Sequence, residues 1–358
     1  HHALTHTGYS ESPAPNANRT QWIYTTAEPI YSSPTVADSK VYVGSKDDRV
    51  YCLDALTGEQ IWNCTVGDIE WSSPAVAEGR VYIGGIIPNG RLYSLNASTG
   101  ELIWSYIAGM YVYSSPAIAD GKVYVGSCFS VEPPVGIVYC LNASTGELIW
   151  NYTTAVTGGK VYVGSKDGMV YCLDASTGER IWNYTTSSWV DSSPAVANGR
   201  VYVGSCNGKV YCLNALTGEL MWSFMTGSHV DSSPAVANDK VYISSSVGKI
   251  YCLNASTGEC VWYYATGADD FSSPAVAEDK VYVGSVDHSV YCLNASTGRL
   301  IWKYVTGGVV LSSPAVADGV VFVGSSDHNL YAFGNVVRVP EDYGTIQEAI
   351  NASAPGST

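Results

Sequence analysis

Six of the ten cysteines in this 358-residue chain recur in one setting, between a tyrosine and a leucine: Cys52, Cys140, Cys172, Cys212, Cys252 and Cys292. Thiols in such a series could cross-link, bind a metal or attack a substrate. A disulfide needs Cα atoms within about 7 Å of each other, and copies of one site in successive repeats stand further apart. No pair has the CxxC spacing of a zinc site, and no Cys-Cys dipeptide occurs. The six therefore read as small buried hydrophobes. Cys64, Cys128, Cys206 and Cys260 fall outside the pattern and also lack metal-ligand spacing. His288 and His328 follow Asp287 and Asp327 in equivalent turns, where Asp and His are ordinary turn residues. No Ser-His-Asp order, carboxylate pair or phosphate-binding glycine loop stands out. No catalytic residue, metal ligand or cofactor site is assigned.

A second group lies in segments that differ from repeat to repeat. They carry Tyr31, Glu70 with Trp71, Tyr111 with Tyr113, Trp189 with Asp191, His229 with Asp231, Asp269 with Asp270 and Phe271, and Leu311. Aromatic and acidic side chains around one opening suit a protein strand, a glycan or a cation. The competing reading is that these loops vary because nothing constrains them. A third group comprises nine N-x-S/T sequons, at Asn18, Asn63, Asn96, Asn142, Asn151, Asn183, Asn254, Asn294 and Asn351. Several sit in an Asn-Ala-Ser-Thr-Gly turn. Asparagine suits that turn without any glycan, and Asp54 and Asp174 replace it in two copies.

A repeat positions all of these residues. Eight tryptophans stand in equivalent contexts, Trp22, Trp62, Trp104, Trp150, Trp182, Trp222, Trp262 and Trp302, at spacings of 40, 42, 46, 32, 40, 40 and 40. VYVGS or a close variant starts at Val41, Val81, Val123, Val161, Val201, Val241, Val281 and Val321, and Ser-Ser-Pro occurs seven times between Ser32 and Pro314. In the unit 192–226, the short apolar run 192–197 is followed by Asn198-Gly199. The alternating run 200–205 then meets Asn207-Gly208, a strong two-residue hairpin signal. The runs 209–213 and 220–224 add two more strands around the tight loop 214–219. Four short antiparallel strands, apolar on both faces, cannot survive alone and must pack between copies of themselves. A ring of such sheets is a β-propeller.

The order of parts predicts how the ring shuts. The first Trp segment, 20–26, precedes any Ser-Ser-Pro, and the last unit stops after its third strand at 330–333. The N-terminal segment should supply the outer strand of the final blade and remove an exposed edge. The expected fold is all-β, an eight-bladed propeller of four-stranded antiparallel blades. Between Trp150 and Trp182 about eight residues are missing, Ser-Ser-Pro among them. Residues 155–159 would then bridge roughly 16 Å, and blade four should lack most of its inner strand. Domain bounds are set at 1–334 for the propeller and 335–358 for a C-terminal tail.

The run Cys-Leu-Asn-Ala-Ser-Thr-Gly-Glu-Leu-Ile-Trp at 140–150 and its copies resemble the tryptophan-docking motif of quinoprotein (PQQ-like) propellers. The resemblance spans 20–333 and implies that each Trp packs on the Thr-Gly turn of the neighbouring blade. Quinoprotein enzymes use a vicinal Cys pair, a catalytic Asp and a central calcium site, and this chain has no vicinal Cys pair. The opening HHALTHTGYS resembles the lead-in of propellers from archaeal surface proteins. The tail VRVPEDYGTIQEAINASAPGST, 337–358, resembles the start of a NosD or pectate-lyase-like β-helix, with a capping helix at 345–352.

Charge narrows the function. Lys and Arg total 18 against 32 Asp and Glu, a net charge of −14. A nucleic-acid binder needs a basic face to release counterions from phosphate, so that partner is excluded. No apolar run approaches the about 18 residues that span a bilayer. The expected function is a non-catalytic extracellular or cell-surface scaffold that binds protein or glycan, or copies of itself. The alternatives are a quinoprotein-like oxidoreductase or a BamB-like assembly factor. The candidate face carries Tyr31, Trp71, Tyr111, Tyr113, Trp189, Asp191, His229, Asp231, Asp270 and Phe271.

Overall fold

The structure is a computed structural model that describes residues 8–15, 17–69, 71–86, 90–109, 111–112, 114–128, 136–151, 160–269 and 271–334. Blade five illustrates the repeat unit. Its strands Ala195–Ala197, Arg200–Gly204, Lys209–Asn214 and Leu220–Met225 pair antiparallel in sequence order. The second and third strands are almost wholly buried, whereas the outer strand alternates. That pattern arises because the middle of each sheet is covered on both faces by its neighbours, while the outer strand meets water. Eight such sheets form the propeller, and each successive pair encloses its own apolar cluster. Tyr202, Val210, Cys212 and Trp222 of blade five, for instance, pack against Val241, Ile243, Tyr251 and Leu253 of blade six.

Closure follows the predicted scheme. Blade eight is built from Ala315–Ala317, Val320–Gly324 and Asn329–Gly334, and Arg19–Thr25 adds its outer strand. Trp22 lies opposite Ala332 and Ile23 opposite Tyr331. Blade four has three strands among the described residues: Lys160–Gly164, Met169–Asp174 and Arg180–Thr185. Residues 152–159, the expected site of its shortened inner strand, lie outside the described residues. Among the described residues the cluster between blades three and four is the smallest, with Tyr124, Cys140 and Trp150 as its buried members.

The Ser-Ser-Pro motif acquires a physical role. Its first serine ties the connector to the second strand of its own blade: Ser32 Oγ donates to the Gly44 carbonyl at 2.7 Å, and Gly44 N–H donates back at 2.8 Å. Its second serine links blades. Ser193 N–H donates to Ser233 Oγ, Ser233 N–H to Ser273 Oγ, Ser273 N–H to Ser313 Oγ and Ser313 N–H to Ser33 Oγ, at 2.9–3.0 Å. Ser33 and Ser73 continue the chain to Ser73 Oγ and Ser115 Oγ. Blade four has no Ser-Ser-Pro, so the motif supplies no such link there.

Two features were not foreseen. Tyr9–Ser10 forms a fifth strand on blade seven, parallel to the inner strand Ala275–Ala277. Gly8 abuts Ala235 of blade six, and Ser10 Oγ donates to the Val316 carbonyl of blade eight at 2.8 Å. Inner strands line the central channel of a propeller, so this segment runs inside it. The other feature is a bulge in every outer strand, one residue before each tryptophan or at its flank, seen as a register shift between Cys212 and Leu213 in blade five. It re-aims the tryptophan toward the next blade.

Candidate functional site

The eight tryptophans are scaffold. Trp222 Nε1 donates to the Ala255 carbonyl at 3.0 Å, and Tyr202 Oη donates to the same oxygen at 3.1 Å. Its ring lies on Gly258, which has φ of 75° and where a Cβ would stand 2.6 Å from the indole. Trp22, Trp62, Trp104, Trp150, Trp182 and Trp262 donate in the same way to Ala55, Ala97, Ala143, Ala175, Ala215 and Ala295. Trp302 differs. The segment that follows the third strand of blade eight lies outside the described residues, and the buried Trp302 Nε1 has no hydrogen-bond partner among the described residues. Tyr282, its companion, donates instead to the carbonyl of Pro15 from the N-terminal segment, at 3.0 Å.

One face of the disc is uniform. In its Asn-Ala-Ser-Thr-Gly loops, Asn254 Oδ1 accepts from Ser256 N–H at 2.9 Å and Thr257 N–H at 3.0 Å. Asp54 Oδ1 does the same for Leu56 and Thr57, so the turn itself selects Asn or Asp here. Asn96, Asn142 and Asn294 repeat this arrangement. Of the other sequons, Asn63, Asn151 and Asn183 are exposed on outer strands, Asn18 Nδ2 donates to the Lys303 carbonyl at 3.1 Å, and Asn351 lies outside the described residues.

The opposite face is where the blades differ. Each connector runs between the hairpins of two blades: Val190 N–H donates to the Ser165 carbonyl, and Cys206 N–H to the Trp189 carbonyl. Connectors and hairpins therefore share one surface. The residue just before Ser-Ser-Pro is Tyr31, Trp71, Asp191, Asp231, Phe271 or Leu311 in blades one, two, five, six, seven and eight. Tyr31 and Trp71 stack, with ring centroids 5.2 Å apart and planes at 15°. Trp71 is 46% exposed, Trp189 53% and Phe271 41%. Lys46 Nζ lies 5.9 Å from the Tyr31 ring and Lys166 Nζ 5.3 Å from that of Trp189. Tyr111 is half-buried in the connector into blade three, while Tyr113 and Asp270 lie outside the described residues.

Acidic groups gather on the blade-five side. Cys206 Sγ is 3.1 Å from Asp231 Oδ1 and 3.9 Å from Asp191 Oδ2, and Lys166 Nζ is 3.6 Å from Asp191 Oδ1. Burial, then the hydrogen bond and charge of Asp231, push the Cys206 thiol up to about 12. The Asp191 carboxyl is raised by partial desolvation and by Asp231, with Lys166 opposing, although a third of its side chain stays exposed. The sequence had singled out Asp191, His229 and Asp231 but not Cys206, whose hairpin position holds Lys, Ile, Ser or Val in most other blades.

The six recurrent cysteines are buried, opposite Trp on one side and Tyr on the other, as Cys212 is to Trp222 and Tyr202. Burial pushes Cys52, Cys140, Cys212, Cys252 and Cys292 up to about 12 and Cys172 to about 11, so they remain unreactive thiols. His288 and His328 have φ of 66° and 72°, and occupy the turn position of Gly208 at 82°. They serve the turn.

The family model described as "Beta-alanine-activating enzyme, beta-propeller" matches residues 155–350, and that described as "Outer membrane protein assembly factor BamB" matches residues 13–155. No curated protein matches the chain. Among solved structures, BamB from Moraxella catarrhalis superposes with a TM-score of 0.73 at 19% identity, covering 88% of this chain and 99% of that one. The computationally designed Ika8 protein gives 0.76 at 17%, covering 87% and 97%. Quinohemoprotein alcohol dehydrogenase from Comamonas testosteroni gives 0.78 at 16%, covering 94% and 80%. At such identities the likeness is one of fold.

Proposed function

The chain belongs to the β-propeller family described as that of the beta-alanine-activating enzyme, and from that membership we propose that it is a non-catalytic binding module whose connector face takes a protein or glycan ligand. The observation that carries this reading is the exposed aromatic platform of Tyr31 stacked on Trp71, with Trp189 further round the same face. Large exposed aromatics add contact area at little entropic cost and are favoured at binding surfaces. They stand where the repeat diverges, while the other face keeps one loop design throughout. The structural relatives are compatible with a binding role, since one is the assembly factor BamB, although others are dehydrogenases. An extracellular or cell-surface setting, with copies of the chain as one possible partner, is part of the proposal. Among the described residues no helix is long and apolar enough to cross a membrane. The tail 335–358 lies outside them, and its reading as the start of a β-helix rests on sequence resemblance.

A quinone cofactor fits the residues poorly. The chain has no vicinal cysteine pair, and Gly8–Ser10 runs through the channel beside blades six to eight. The test is a glycan array together with tryptophan-fluorescence titrations of candidate protein ligands, using wild type, Trp71→Ala and Trp189→Ala. Binding that falls at least tenfold in either variant supports the reading. Binding that is unchanged in both overturns it. A thermal shift on adding PQQ with calcium would restore the oxidoreductase alternative.

A further inference from the structure

Three side chains with metal-ligating atoms converge on one point of the connector face. Cys206 stands in the hairpin of blade five, at the position of Cys128 in blade three and of Lys46, Lys166, Ser246 and Ser326 in other blades. His229 and Asp231 stand in the connector to blade six, where the corresponding residues are Trp189 and Asp191 one blade earlier. One ligand atom from each of the three lies within 4.8 Å of the other two. We propose that Cys206, His229 and Asp231 form a site for a divalent transition-metal ion of the zinc class.

The chemistry of the set argues for that class. One sulfur, one imidazole nitrogen and one carboxylate oxygen suit a borderline ion such as Zn²⁺ and not Ca²⁺ or Mg²⁺, which take oxygen ligands. Metal–ligand bonds of about 2.0–2.3 Å in a tetrahedron put ligand atoms roughly 3.3–3.8 Å apart. The Sγ–Oδ1 separation of 3.1 Å is close to that, and the full set contracts onto an ion by small side-chain rotations. Backbone bonds hold the elements that carry the ligands: Cys206 N–H donates to the Trp189 carbonyl, Ser246 N–H to the His229 carbonyl and Val230 N–H to the Ser205 carbonyl. His229 is exposed, so an ion reaches the site from solvent.

Electrostatics points the same way. Asp191 adds a second carboxylate 3.9 Å from the sulfur, and Lys166 Nζ pairs with Asp191 at 3.6 Å. A divalent ion neutralises this local excess. On binding, the Cys206 S–H bond breaks, its proton leaves to solvent, and the thiolate forms the metal–sulfur bond. Three protein ligands leave a fourth coordination position open, the pattern of zinc sites that accept an exogenous ligand.

The probe is cobalt(II), added to the full chain under a non-thiol reductant. The expected result is one ion per chain, a near-ultraviolet thiolate-to-cobalt charge-transfer band, the visible bands of four-coordinate cobalt, and bleaching by zinc. Cys206→Ser, which copies the residue of blades six and eight, should abolish the charge-transfer band. His229→Asn and Asp231→Asn should each weaken cobalt binding at least tenfold. Cys64→Ser and Cys260→Ser should change nothing. No charge-transfer band in the wild type, or a band that survives Cys206→Ser, overturns the site. His229→Asn alters only an exposed side chain, so an unchanged cobalt affinity there overturns it independently. None of these readouts depends on the glycan or protein ligand.

Discussion

The backbone N–H of Ser313 donates to Ser33 Oγ at 2.9 Å, a contact between residues 280 positions apart in sequence. It joins the last blade to the first on the channel side, while Arg19–Thr25 joins them on the rim. The ring is therefore fastened at both radii, by a pair of atoms inside and by a whole strand outside.

Ser33→Ala tests the inner fastening. It removes the acceptor of Ser313 N–H, and an unsatisfied buried donor costs about 1–3 kcal/mol. Urea denaturation should show that loss. Ser193→Ala is the control, because Ser193 is exposed and the preceding blade carries no Ser-Ser-Pro whose N–H it would accept. It should change stability by about 0.5 kcal/mol or less.

The tryptophans differ in their hydrogen bonds, and conservative replacement separates them. Trp222→Phe loses the bond to the Ala255 carbonyl, whereas Trp302→Phe removes an N–H that has no partner among the described residues. Packing losses are similar, so Trp222→Phe should be the more destabilising by about 1–2 kcal/mol. Equal losses would refute this account of the seam.

Gly258→Ala combines a positive φ with a clash against the Trp222 ring. The cost should be on the order of 3 kcal/mol. Gly199→Ala, also at positive φ but with open space around it, should cost only about 1 kcal/mol. Thermal melts of the two variants would distinguish clash from backbone strain.

The buried thiols make the propeller sensitive to alkali. Their folded pKa values are raised to about 12 in blades one, three, five, six and seven, against about 8.5 in an unfolded chain. The folded state thus holds protons the unfolded state gives up. The stabilisation is complete below about pH 8.5 and is lost progressively as pH rises toward 12, by up to about 1.4 kcal/mol per pH unit for each thiol. Stability against urea should fall steeply above pH 9. Cys252→Ala, which copies Ala332 of blade eight, should make that fall shallower. At pH 8 a thiol reagent should label no more than the four off-pattern cysteines.

Much of the fold was legible because the Trp, VYVGS and Ser-Ser-Pro spacings constrain it three times over. Eight blades and the N-terminal closing strand follow from those marks. The role of the second serine did not, because a bond between copies of one motif leaves no trace within a single copy. Tyr9–Ser10 was missed since two residues of parallel strand carry no periodicity. For the connector face, Trp71, Trp189, Asp191, His229 and Asp231 announced themselves as departures from a uniform background. Cys206 did not, because it was judged with the other cysteines by sequence spacing. Its neighbours Asp191 and Asp231 reach it across blade boundaries, and only the folded ring brings them together.

The parallel pairing of Tyr9–Ser10 with blade seven has a directional consequence. At Gly8 the backbone points out of the channel on the side of the connectors, whereas at Gly334, where the third strand of blade eight ends, it points out on the side of the uniform loops. A tether attached upstream of Gly8 and another attached downstream of Gly334 would leave from opposite flat sides of the disc. Pulling on both would load the propeller along its axle, as a washer threaded on a line.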